Sequence, residues 1–256
     1  MLWALALSAI GAQSAFAIPT GTTAFTCSSA APTKTFKTEH CVPGETGTAF
    51  GHVAFTGQTE VQVTNSKTSA ETTAATTLKI EDTIAGIKTP ITATGVEATG
   101  TVENKLSESG EHLAHYKFST IRLTGVTVDV ANCGVVGIPG GAGVIETKPM
   151  TATTEGQEDF LKFLPQEEFL IAEYEIVQLA PTCPIVGKYK LMGSFKGVPN
   201  GATVRFGHNE ITGQGTLRTN NVAGPKVGIE GLITISGRTG GSGSYTPIAH
   251  TTVPTP

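Results

Sequence analysis

Residues His112–Val130 read HLAHYKFSTIRLTGVTVDV, and their pattern sets the fold class. β-branched and aromatic side chains crowd the segment, and apolar residues alternate with polar ones instead of recurring at helical spacing. The pattern predicts a hairpin turning near Thr124–Gly125, with Val126, Val128 and Val130 on one face. The same texture extends upstream. Ala49–Thr64 (AFGHVAFTGQTEVQVT) predicts a hairpin around Gly57–Gln58, and Thr76–Val96 predicts two strands broken at Ala85–Gly86.

Downstream, Gly137–Gly143 (GIPGGAG) reads as a loop, because successive glycines and a proline do not hold a regular element. Phe160–Leu164 and Phe169–Leu179 read as strands separated by Pro165–Glu168, and a helical reading of Asp159–Leu164 would stop at Pro165. Gly187–Phe195, Ala202–Phe206, Gly215–Thr219 and Gly228–Ser236 complete the strand signals. No stretch carries a sustained helical apolar stripe. The expectation is an all-β chain, an antiparallel β-sandwich or barrel-like fold, stabilised by disulfides. A boundary within 137–156 would divide residues 18–256 into two β sub-domains. One continuous unit is favoured, because a Cys133–Cys183 bond would tie the two sides together.

Composition agrees with this reading. Charged residues make up 15% of the 256-residue chain, against the roughly 25% usual in globular proteins. About one residue in six is Thr, a β-branched type suited to a pleated surface that faces water. The net charge of −4 supplies no basic field for nucleic acid or anionic lipid, so neither is an expected partner.

Met1–Ala17 (MLWALALSAIGAQSAFA) has an apolar core from Leu2 to Ala12 and the small-x-small ending Ala15–Phe16–Ala17. It reads as a signal peptide, too short to span a bilayer, with only the α-amino group supplying positive charge before the core. No later stretch is long and apolar enough to span. The tail His250–Pro256 carries no L-P-x-T-G-like sorting motif. Secretion is expected, with release or loose envelope association. Cys27, Cys41, Cys133 and Cys183 all follow the cleavage point, and an even number in an oxidising compartment implies two disulfides. The pairing Cys27–Cys41 and Cys133–Cys183 is favoured because it closes the shortest loops. Zinc is disfavoured, since no C-x-x-C occurs.

Two groups of segments carry a resemblance. Phe25–Cys27, Phe36–Cys41 (FKTEHC) and Gly51–Val53 resemble the opening of uncharacterised secreted proteins from high-GC Gram-positive soil bacteria. Cys183–Gly193 (CPIVGKYKLMG) and Gly197–Ala202 (GVPNGA) are similar to their C-terminal half. The resemblance implies a secreted β-rich fold and brings no activity, cofactor or site.

The residues suggest little chemistry. No serine sits in G-x-S-x-G, the Gly-rich run Gly240–Ser244 reads as a loop, and Gly187–Lys188 precedes Tyr189 rather than Ser or Thr. His112 and His115 form H-x-x-H, which a strand points to opposite faces. His40 and His52 read as structural residues near a disulfide, while His208 and His250 have no acidic or His neighbour in sequence. Glu173 and Glu175 are two apart on a strand, hence on one face, as a glycosidase pair can be, with Glu167 and Glu168 upstream. A solvated strand face is the favoured alternative. The one tryptophan, Trp3, falls in the signal segment, so no tryptophan platform for sugar remains, and Tyr116, Tyr174, Tyr189 and Tyr245 are dispersed. No catalytic, metal or cofactor residues are assigned. The expected function is a non-catalytic secreted or envelope protein with a structural or binding role towards an extracellular ligand. The alternative is a polysaccharide hydrolase using Glu173 and Glu175.

Overall fold

The computed structural model describes residues 23–55, 57–65, 78–106, 108, 112–154, 160–167, 169–207, 216–220, 224–238 and 243–251. Met1–Ala17, read above as a signal peptide, His208, Glu168 and most of the Gly240–Ser244 run lie outside the described residues.

Every regular element among them is a strand. The first third of the chain supplies β1 (Thr23–Ser28), β2 (Gly51–Ala54), β3 (Thr59–Asn65), β4 (Leu78–Ile84) and β5 (Ile87–Ala93). Next come β6 (Gly95–Leu106), β7 (His112–Thr124), β8 (Thr127–Val128), β9 (Cys133–Ile138) and β10 (Gly141–Ala142). They are followed by β11 (Val144–Glu146), β12 (Met150–Thr154), β13 (Leu161–Pro165), β14 (Leu170–Gln178) and β15 (Gly187–Met192). The chain ends with β16 (Phe195–Asn200), β17 (Thr203–Gly207), β18 (Arg218–Thr219), β19 (Gly228–Arg238) and β20 (Thr246–Thr251).

Eight strands close an antiparallel barrel in the order β17-β16-β13-β12-β7-β6-β3-β19, with β19 pairing back to β17. Closure leaves these staves no open edge along their paired length. The long β19 serves more than the barrel. Its Gly228–Glu230 end pairs with β4, which leads to β5 and β8, and its Ser236–Gly237 end pairs with β20, which leads to β1 and β2. A second sheet, β10-β9-β14-β15-β18, lies against one barrel end. One continuous cluster of buried side chains unites the two sheets.

Alternation fills the barrel. Val61, Val63, Ala98, Val102, Ala114, Tyr116, Phe118, Met150, Ala152, Leu161, Phe163, Phe195, Phe206, Ile233 and Ile235 are buried. Their strand neighbours Glu60, Glu97, Lys117, Arg122, Lys162, Lys196 and Arg205 face outward at least partly exposed. A polar outside on an apolar inside is the reverse of what a lipid-facing barrel requires. The aromatic rings run in a chain across the interior: Tyr116–Phe118 at 5.9 Å, Phe118–Phe163 at 6.4 Å, Phe163–Phe195 at 4.9 Å and Phe195–Phe206 at 5.6 Å between centroids.

In β7 the inward set is Ala114, Tyr116 and Phe118, then Ile121 and Leu123. The switch from even to odd positions is a β-bulge: the β6–β7 register shifts between Thr99 and Gly100. Gly100 is required there, since a Cβ would lie 2.1 Å from the Lys117 carbonyl oxygen.

Several expected pairings change. Ala85–Gly86 does turn a hairpin, β4 with β5. Ala49–Thr64 does hold two strands, but β2 pairs with β1 while β3 pairs with β6 and β19, so they form no hairpin. The chain does turn at Gly125, yet β8 pairs with β5 instead of returning along β7. The segment Gly137–Gly143 is a tight hairpin rather than a loop, with Gly137 opposite Gly141. Positive φ at Gly140 (112°) and Gly141 (83°) makes the reversal, which only glycine adopts without strain. Of Asp159–Leu164, the described residues are not helical: Leu161–Pro165 is a barrel stave, and Asp159 lies outside the described residues. Stretch 137–156 carries β10, β11 and β12, and β12 is the stave between β7 and β13. Both disulfides pair as the short-loop reading expects, Cys27–Cys41 and Cys133–Cys183.

Candidate functional surface

The barrel interior offers a ligand no room. Its enclosed void is about 40 Å³, lined by Val63, Ile80, Ile121, Phe163, Phe206 and Ile233 among other apolar side chains. Ligand pockets run to roughly 300–1,000 Å³. Ile171 and Leu191 of the second sheet and Leu78 and Ile80 of β4 close over this end.

Two buried polar contacts sit within this apolar mass. Tyr116 Oη and His250 Nε2 are 2.6 Å apart, both side chains buried. Burial lowers the His250 pKa from 6.5 to about 4, so the ring is neutral, and the imidazole tautomer sets which of the two groups donates. Gly201's backbone opposes part of that shift. Burial raises the Tyr116 phenol well above its ordinary value. In the second contact, Thr219 of β18 donates to the buried Asp82 carboxylate of β4 at 2.5 Å, linking the second sheet to the barrel extension. Burial raises the Asp82 pKa, and the hydrogen bonds from Thr219 and the Thr83 amide work against it.

His250 makes stability depend on pH. Unfolded, it titrates near 6.5, and folded near 4. Between those values the unfolded chain binds the extra proton, so stability is full above about pH 6.5 and falls as pH drops towards 4. The total loss from this group is about 3 kcal/mol. Urea unfolding of His250→Gln at pH 7 and pH 4 is expected to remove about that much of the parent's acid loss. Equal losses in parent and variant would show that His250 is not buried neutral.

Outward, the barrel wall carries an array on adjacent strands. Thr101, Lys117, Thr151 and Leu164 stand in one row across β6, β7, β12 and β13; Glu103, His115, Thr153 and Lys162 stand in the next. Lys105 lies two residues beyond Glu103 on β6. Together with Pro165, Gln166 and Phe169, members of this array shape an open cleft of about 540 Å³ lined by Lys105, His115, Lys117, Thr151, Leu164, Pro165, Gln166 and Phe169. Gln166 is pinned, its backbone N–H donating to Pro149 and its side-chain amide to Met150. Lys105 pairs with Glu103 at 2.9 Å. Burial first, then the Lys105 and Lys117 ammoniums, lower the His115 pKa, and its Nδ1 has no hydrogen-bond partner.

A second outward cleft, of about 440 Å³, is lined by Ile138, Glu173, Lys188, Tyr189, Lys190 and Asn220. Of the carboxylates singled out from sequence, it holds Glu173. Glu173 and Glu175 do share one face of β14, but Lys190 and Lys188 of β15 stand directly opposite. Lys190 reaches Glu173 at 3.2 Å. Tyr174 and Tyr189 point to the other face, stacked at 5.6 Å and buried. Glu167 is exposed at the turn near the first cleft.

His52 stands opposite Cys27 in register, its ring between Phe25 and Phe36 at 5.2 and 4.7 Å. Burial lowers its pKa, and its Nε2 has no hydrogen-bond partner. His40 precedes the bonded Cys41, and its carbonyl accepts from Ala202. His112 and His115 share β7 at opposite-facing positions. Among the described residues no three His, Cys, Asp or Glu side chains gather as metal ligands. Neither the cationic cleft nor the Tyr116–His250 bond was visible in sequence, because their members come from separate strands.

Comparison with protein-family models, with curated proteins and with solved structures finds no match.

Proposed function

We propose that this chain is an exported, non-catalytic β-barrel protein of the extracellular space or cell envelope, and that it works as a binding or structural module through the outside of its barrel. The observation that carries this reading is the filled interior. A 40 Å³ apolar void holds no ligand, whereas clefts of about 540 and 440 Å³ lie on outward faces. Two disulfides suit an oxidising compartment, and the Met1–Ala17 segment supplies an export signal. Expression in a secreting host is expected to yield a mature chain beginning at Ile18; intracellular retention with Met1 intact would sink the export reading.

The binding role is tested by screening the mature protein against cell-wall glycans and envelope fractions. Retention without release of reducing ends is the expected result. Released reducing ends that vanish in Glu173→Gln/Glu175→Gln would overturn it in favour of the hydrolase. The Glu173–Lys190 ion pair supports the non-catalytic reading, because it occupies one of the two carboxylates. As a partly exposed pair it contributes little, and E173Q is expected to cost less than about 1 kcal/mol in urea unfolding.

A further inference from the structure

We propose that the cleft over β6, β7, β12 and β13 binds an acidic sugar residue. Its carboxylate would lie between Lys105 and Lys117, its ring against Phe169, and its hydroxyls toward Thr151 and Gln166. The inference rests on the reading of the chain as a binding module and names the ligand class of one of the two outward clefts described above.

Four observations converge. The cleft, at about 540 Å³, falls in the range of small-ligand sites. Its charge is unbalanced: Lys105 is paired with Glu103, but Lys117 has no ion-pair partner among the described residues. Both ammoniums act electrostatically on His115 and Glu103, so they stand close enough for one ligand anion to meet both, sharing them with the single Glu103 carboxylate. Opposite the cations stands an apolar side of Leu164, Pro165 and Phe169, with Phe169 60% exposed. An exposed aromatic ring beside cations and neutral hydrogen-bonding groups matches a ligand that has an apolar face, several hydroxyls and one negative charge.

Other occupants fit less well. A bare phosphate would leave the Phe169 side unused. An acidic peptide bound by strand addition needs an open sheet edge, and the four staves beneath the cleft are paired on both sides.

The test is calorimetric titration of the disulfide-bonded mature protein with a galacturonic acid oligomer. A neutral galactan oligomer, poly-glutamate and inorganic phosphate are the comparison ligands. Galacturonate is expected to bind at least tenfold more tightly than each of the three, with affinity falling as salt is raised. Lys117→Gln and Phe169→Ala are each expected to weaken it about tenfold or more with an unchanged unfolding midpoint, while Lys188→Gln in the other cleft changes nothing. Galacturonate binding that K117Q and F169A leave intact would remove the ligand from this cleft. Equal binding of phosphate or poly-glutamate would overturn the sugar assignment. If galacturonate does not bind but an envelope fraction does, this proposal falls and the binding reading stands; if nothing binds, both fall.

Discussion

Replacement of Phe163 by alanine is expected to lower the stability of the folded chain by about 5 kcal/mol, at the upper end for a buried Phe→Ala change. Phe163 is 1% exposed and sits at the hub of the interior rings, 4.9 Å from Phe195, 5.6 Å from Phe206 and 6.4 Å from Phe118. Truncation removes its own transfer energy and these ring contacts, worth about 0.5–1.5 kcal/mol per pair. It also enlarges a void that already borders this side chain. A closed wall resists collapse, because moving one stave inward breaks ladders on both of its sides. Phe163→Leu, which keeps most of the volume, is expected to cost about half as much. Urea unfolding measures both. A Phe163→Ala loss below about 2 kcal/mol would mean that the barrel interior is not packed as described.

Loss of the Cys133–Cys183 bond is the second large effect. It closes a 50-residue separation, from the start of β9 to the loop after β14, and chain entropy puts its contribution at about 4 kcal/mol. The Cys27–Cys41 bond closes 14 residues and is worth about 3 kcal/mol by the same relation. Cys133→Ala/Cys183→Ala should therefore unfold at lower urea than Cys27→Ala/Cys41→Ala. The reverse order would show that loop closure does not govern these bonds. Local hydrogen bonds already hold the first corner: Asn132 donates to the Pro181 carbonyl and to Thr182 Oγ1, and the Leu179 amide donates to the Asn132 carbonyl. Peptide mapping without reductant is expected to recover both pairs.

The β4–β5 hairpin was legible because its strands adjoin a two-residue turn, Ala85–Gly86, and its pairing is local. The Ala49–Thr64 reading used the same logic and failed in its pairing. Both strands form, but each finds a more distant partner, β2 with β1 and β3 with β6 and β19. Several strands lie wholly or mostly outside the segments read as strands: β1, β6, β9, β11, β12, β16 and β20, with β10 inside the segment read as a loop. β12 and β20 show why. Met150–Thr154 is mostly Thr and Ala, and Thr246–Thr251 includes Pro247 and sits in a polar tail, so neither has the side-chain signal of a strand. What makes them strands is the open hydrogen-bonding edge they dock on, β7 and β13 for β12, β19 and β1 for β20.

By itself, the sequence determined the all-β class and the shared face of Glu173 and Glu175, and it favoured, among three connectivities, the short-loop disulfide pairing that the structure holds. These depend on the two-residue period of an extended chain or on short loops, and both are properties of residues close in sequence. The tertiary structure decided that the sheet closes into a barrel, that Lys190 meets Glu173, and that Tyr116 reaches His250 across 134 residues. It also decided that Lys105, Lys117 and Phe169 surround one cleft. Each of these depends on which strands become neighbours. That choice belongs to backbone ladders and shared burial across the whole chain, and the period along any one strand does not encode it.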